Sequence, residues 1–103
     1  MRHQALKIIA IERELAAAPS EVFALLGKAE ARRVWELQQS GVIRELYFRA
    51  DRNEAVVILE CADVAEAEAH LATLPFVVAG LIAFDLIPLR AYPGFARLFA
   101  PQD

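Results

Sequence analysis

Several things are scarce in this chain of 103 residues, and each scarcity removes a class of function. There is one cysteine, Cys61, so no intrachain disulfide framework exists and a reducing, cytoplasmic location is expected. The two histidines, His3 and His70, and Cys61 are scattered without the spacing that metal ligands require. Lys and Arg number 11 against 14 acids, for a net charge of −3, and the cations gather in no stripe, which argues against a nucleic-acid partner. Long apolar runs are missing too. The longest, residues 74–87, is broken by Pro75, Gly80 and Asp85, and falls short of the roughly 18 to 20 apolar residues of a membrane span. The first four residues lack the apolar core of a secretory signal. No Gly-rich phosphate loop and no Ser-His-Asp arrangement occurs.

What the sequence holds in quantity is apolar surface, 57% of its residues. That is high for a single small domain, and the excess is expected to line a pocket or to be buried between subunits. Residues 7–15, 42–50, 55–61 and 78–89 are rich in Val, Ile, Leu and aromatics and predict four strands with little strict alternation. Such strands expect cover on both faces. Two helices are predicted between them. The first spans residues 21–40, with Ser20 as N-cap, Glu21 in the first turn and Gly41 as the stop. The second follows Asp63, whose partner Glu66 completes a capping-box-like pair, and Pro75 blocks its continuation. Asp51-Arg52-Asn53-Glu54 has turn chemistry and makes a hairpin of the middle strands.

The order β-α-β-β-α-β predicts an α+β fold, a ferredoxin-like sandwich with an antiparallel four-stranded sheet and two helices on one face. The whole chain, 1–103, reads as one domain. Two helices cover only one face, so the other is expected to meet a second copy of the chain. Residues 91–103, with Tyr92, Phe95, Leu98 and Phe99, form a tail too apolar to hang in water, expected to dock on its own subunit or a partner.

The run Leu37-Gln38-Gln39-Ser40-Gly41-Val42-Ile43-Arg44-Glu45-Leu46-Tyr47 resembles the helix-to-strand junction of muconolactone delta-isomerases. The second helix and its exit through Leu74-Pro75-Phe76 resemble the same family, and the similarity spans residues 26–93. The resemblance implies a dimeric α/β barrel, often assembled into larger rings, and a cofactor-free 1,3 proton shift on an unsaturated lactone. Glu45 stands where the family pattern often has a histidine.

A proton shift along an allylic system needs a base, an acid and a cation or donor near the developing enolate. Arg44 is the first candidate, able to clamp a lactone carboxylate with a forked pair or to form a structural ion pair. A three-residue turn would set Arg44 opposite Glu60, and a four-residue turn would set Glu45 there. Glu45 and Glu60, facing each other in a dry site, would leave one of them protonated near neutral pH. Asp85, flanked by Phe84 and Leu86 and on a strand beside that of Glu12, completes the set of candidate catalytic residues. His70, off the apolar side of its helix, reads as solvated, and Cys61 as a small buried apolar residue. Trp35, Tyr47 and Phe48 could line a pocket, and Gly27 could admit a close neighbour. Three functions stand open: an isomerase in aromatic catabolism, a cofactor-free monooxygenase of the same fold, and a non-catalytic binding or oligomerisation domain. A pocket with Arg44 beside a carboxylate favours the first, an aromatic pocket without convergent carboxylates the second, and a filled interior the third.

Overall fold

A computed structural model of the chain describes residues 5–15 and 19–101. Four strands, β1 (Leu6–Glu14), β2 (Ile43–Phe48), β3 (Ala55–Cys61) and β4 (Ile82–Pro88), form one sheet in the order β2-β3-β1-β4. Every neighbouring pair is antiparallel. The helix α1 (Ser20–Gln39) links β1 to β2, while α2 (Val64–Leu71) and the short α3 (Pro75–Val78) link β3 to β4. This is the α+β, ferredoxin-like arrangement that the order of elements predicts.

Strand alternation sorts the sheet into two unlike faces. Ile8, Ala10, Val57, Leu59, Cys61 and Ile82 point to the helices and are buried, joined there by Leu37, Ala67, Leu71 and Leu74. The opposite, open face carries a row in which Ile9 lies between Ile58 and Ile87, with Ile11 beside Val56. Four of these are only half-buried in the single chain, and Ile87 is 45% exposed.

Four local expectations are corrected. Pro19, not Ser20, occupies the N-cap of α1, and among the described residues no side chain caps that end. Pro75 does not stop α2, which ends at Leu71. It stands at the first position of α3, where its missing N–H costs nothing. The last strand therefore begins at Ile82 rather than near residue 78, after Gly80 turns the chain at φ +75°. The second strand is also shorter than residues 42–50, ending at Phe48. At α2 the expected cap forms, with Asp63 Oδ1 accepting from the Glu66 N–H at 2.8 Å, and Gly41 closes α1's exit at φ +88°.

The hairpin register matches neither alternative. Phe48 pairs with Ala55 and Glu45 with Ile58, but Ile43 pairs with Leu59, because a bulge intervenes at Arg44. The tail forms a 3-10 helix, Gly94–Phe99, steadied by an edge-to-face contact of Tyr92 and Phe95 with ring centres 5.1 Å apart. Phe95, Leu98 and Phe99 remain 67–84% exposed. The tail therefore projects as an arm. The radius of gyration of 17.1 Å exceeds the ~13 Å of a compact chain this long.

Candidate functional site

Helix α1 lies unevenly over the sheet. Its C-terminal half is seated by Leu37, its one buried residue, with Val34 packed against the core. Its N-terminal half leans on α3 instead, where Phe23 meets Phe76 edge-to-face at 5.1 Å. Helix and sheet therefore diverge, and between them opens a cleft of about 520 Å³. That is within the roughly 300–1,000 Å³ of small-molecule sites. Ile43, Leu46, Val57, Leu71 and Leu74 form its floor and walls, with Trp35, Phe48, Phe76 and Phe84 supplying aromatic surface. Gly27 lines it as well. A Cβ built there would meet nothing within 4 Å among the described residues, so this glycine opens onto space and does not admit a close neighbour.

Two carboxylates interrupt the apolar lining, Glu12 from β1 and Glu30 from α1. Glu12 lies one residue past the last ladder pair, Ile11 with Val56, and its Oε1 accepts the Ala55 N–H at 3.0 Å. Glu30 reaches across to α3 and accepts the Phe76 N–H at 2.9 Å, filling the role of a cap at a helix start that has none of its own. Among the described residues the second oxygen of each has no hydrogen-bond partner. Burial raises both acids above the usual carboxylate range, against the lowering effect of those N–H donors. Glu54 and Glu14 push Glu12 further up, and the charge of Glu12 does the same to Glu30.

The four candidate residues from the sequence lie elsewhere. Glu45 and Asp85 project from the open face, and Arg44 sits at the bulge, paired with the open-face Glu60 at 3.3 Å. Glu45 accepts from the Tyr47 hydroxyl at 2.7 Å. Asp85 is not buried between its apolar neighbours; its carboxylate is 60% exposed and paired with Arg13 at 3.2 Å. Glu12 and Asp85 do occupy neighbouring strands, but Glu12 sits opposite Phe84 and Asp85 opposite Ile11, so they face different sides. The structure thus brings Arg44 and Glu60 together and sets all four apart from the cleft. The pocket that does form is aromatic and holds convergent carboxylates without Arg44.

Sequence reasoning missed Glu30 and passed over Glu12, although a signal existed for each. Glu12 follows Ile8 and Ala10 on the inward face of β1, and Glu30 lies three residues after Gly27 and four before Val34. Of the pocket aromatics, Trp35 and Phe48 line the cleft while Tyr47 faces away. Buried Cys61 has its thiol pushed up, first by burial and then by Glu66 and Asp63, which disfavours a thiolate. A second hollow, beside the exposed Lys7 and Arg90 where β1 begins and β4 ends, contains no acid. Among the described residues no group of three or more His, Cys, Asp or Glu side chains could hold a metal ion. No helix among them is long and apolar enough to cross a membrane.

Fold and cleft together define a ferredoxin-like domain with a pocket of small-molecule size and acid–base groups in its wall. The sequence profile of the muconolactone delta-isomerase family matches residues 9–94, and the chain belongs to that family. Among curated proteins no match is found.

Proposed function

We propose that the chain is a cofactor-free isomerase that moves a double bond in a small unsaturated lactone, and that the reaction takes place in the helix–sheet cleft. The observation that carries this is the pairing of Glu12 and Glu30 on one apolar pocket. In an α,β-unsaturated lactone the proton on the γ carbon is weakly acidic through the conjugated double bond, and its removal places negative charge on the carbonyl oxygen. Glu12, taken as ionised, removes that proton and returns it to the carbon next to the carbonyl, so that the double bond moves from the α,β to the β,γ position. Glu30, whose affinity for its proton is raised by burial and further by the Glu12 charge, against the lowering Phe76 N–H, takes the role of donor to the oxygen as charge develops. Proton and electron count balance, and no redox partner is needed.

In this reading the isoleucine row of the open face meets a second copy, giving the dimeric barrel, and the arm of residues 91–101 extends that contact. Arg44, Glu45, Glu60 and Asp85 then flank the subunit contact. A second reading keeps them catalytic, with substrate enclosed between two open faces; the 3.3 Å Arg44–Glu60 pair is what favours it.

The test is proton NMR of muconolactone and of its methyl ester in heavy water with purified protein. The proposal expects deuterium uptake and double-bond migration in at least one of the two. Glu12→Gln and Glu30→Gln, shown folded by circular dichroism, should each lower the rate by about 100-fold or more. Exchange at the buffer rate with both lactones, or full rates in both variants, refutes it.

A further inference from the structure

Helix α1 supplies more than one wall of the cleft. Gly27, Ala31 and Gln38 face the cavity, with Glu30 on one flank of the helix and Trp35 on the other. At 3.6 residues per turn, the Trp35 flank also carries Lys28 and Arg32, one turn apart and leading up to the tryptophan. Both cations are exposed, and each follows directly on a residue of the cavity wall, Lys28 on Gly27 and Arg32 on Ala31. Like charges one turn apart on a helix repel, and among the described residues neither is set in an ion pair. Glu36, one turn beyond Arg32, is engaged by Arg33 at 3.1 Å. Arg33 also donates to Thr73 Oγ1 at 2.8 Å, which fastens the helix to the turn after α2 and fixes its rotation over the sheet.

Gly27 stands between the two kinds of charge. Its missing side chain leaves a gap in the wall, with Glu30 one turn on and Lys28 beside it. A ligand that enters at this gap meets acids inside and cations outside. A lactone acid has the matching polarity. Its ring suits an apolar wall with an acid–base group, whereas its carboxylate, if buried, would lose water and face Glu12 and Glu30. From this we infer that Lys28 and Arg32 are the carboxylate-binding residues of the site, holding the acid arm of a lactone at the mouth while its ring enters past Gly27. The inference rests on the proposal that the lactone binds in the cleft. Arg32 offers the planar fork that fits a carboxylate, and Lys28 adds a mobile point charge. At the mouth the arm keeps its water, and the two cations offset the field of the two cleft acids. Lys28 and Arg32 bind the arm and do not touch the reacting carbons.

Muconolactone and its methyl ester differ in this one charge and make the matched probes. Trp35, the sole tryptophan, lines the cleft and reports occupancy by its fluorescence. In the double variant Lys28→Gln/Arg32→Gln, shown folded by circular dichroism, the affinity for the acid should fall about 5- to 20-fold, while that for the ester stays the same. Raising salt from about 0.05 to 0.5 M should weaken acid binding in the parent and leave the double variant unmoved. Arg32→Lys, which keeps the charge and loses the fork, should fall between the two. In deuterium uptake the double variant should raise KM for the acid with kcat little changed. Unaltered affinity for the acid in the double variant overturns the inference. So does an equal loss for acid and ester, which would report a change of shape, or an acid that leaves Trp35 fluorescence unchanged in the parent. Binding with these charge effects but without deuterium uptake would refute the isomerase proposal and leave the rim standing, and uptake with unaltered binding in the double variant would do the reverse.

Discussion

Replacing Gly27 with alanine tests whether the cleft is an intended space. Glycine within a helix costs about 0.8–1.0 kcal/mol relative to alanine, chiefly through the backbone freedom it loses on folding. Gly27 gains nothing visible in return: its φ is not positive, and an added Cβ meets no atom within 4 Å. Gly27→Ala should therefore stabilise the chain by about 0.5–1 kcal/mol. For a domain of this size each kcal/mol moves Tm by roughly 4–8 °C. Thermal unfolding followed by circular dichroism, with a urea midpoint at unchanged m-value, measures the gain. The new methyl takes space from the pocket, so the same variant should bind the lactone more weakly in a titration followed by the fluorescence of Trp35, which lines the cleft. Gly27→Leu, with a good helix former and a larger side chain, should keep the stability and abolish binding. Destabilisation by Gly27→Ala of more than about 0.5 kcal/mol would refute this reasoning. It would mean that a partner's backbone closes on Gly27 and that the space is not the ligand's.

Three further outcomes can be checked. Burial raises the folded-state affinity of Glu30 for its proton above that of the unfolded chain, so its contribution favours folding below the ordinary value of 4.5 and is lost as pH rises through the raised value. Glu30→Gln, whose side-chain oxygen can still accept the Phe76 N–H, should match the parent near pH 4 and gain relative stability toward neutral pH, read from urea midpoints across that range. The Arg44–Glu60 pair is exposed, 55% and 31% at its two side chains. Arg44→Ala should therefore cost less than about 1 kcal/mol and leave lactone exchange unchanged; lost exchange in a folded variant would move the site to the open face. Ile58→Glu places a charge in the centre of the isoleucine row, and light scattering should show a dimer become a monomer, whereas Phe99→Asp on the arm should weaken the dimer without changing Tm of the monomer.

The elements and their order were readable because they depend on local pattern and chain connectivity. Apolar strands, the Asp63 and Glu66 cap and the Gly41 stop all act within a few residues, and β-α-β-β-α-β leaves few ways to cover a sheet. The cleft was only half readable. Glu12 shares the inward face of Ile8 and Ala10, and Glu30 shares a side of α1 with Gly27 and Val34, so each could be flagged by its own periodicity. That they meet around an empty volume depends on how far α1 stands from the sheet. This is fixed by Phe23 against Phe76, on a short helix that Pro75 starts, and by Glu30 bonded to the start of that same helix. Arg44 shows the converse. Its position in a strand was legible, but a one-residue bulge decided its register, and register decides the face on which a side chain emerges. Local sequence therefore determined the strands, the helices and their order. Tertiary contacts decided that Glu12 and Glu30 meet on one pocket, because spacing between helix and sheet is set by side chains far apart in the chain.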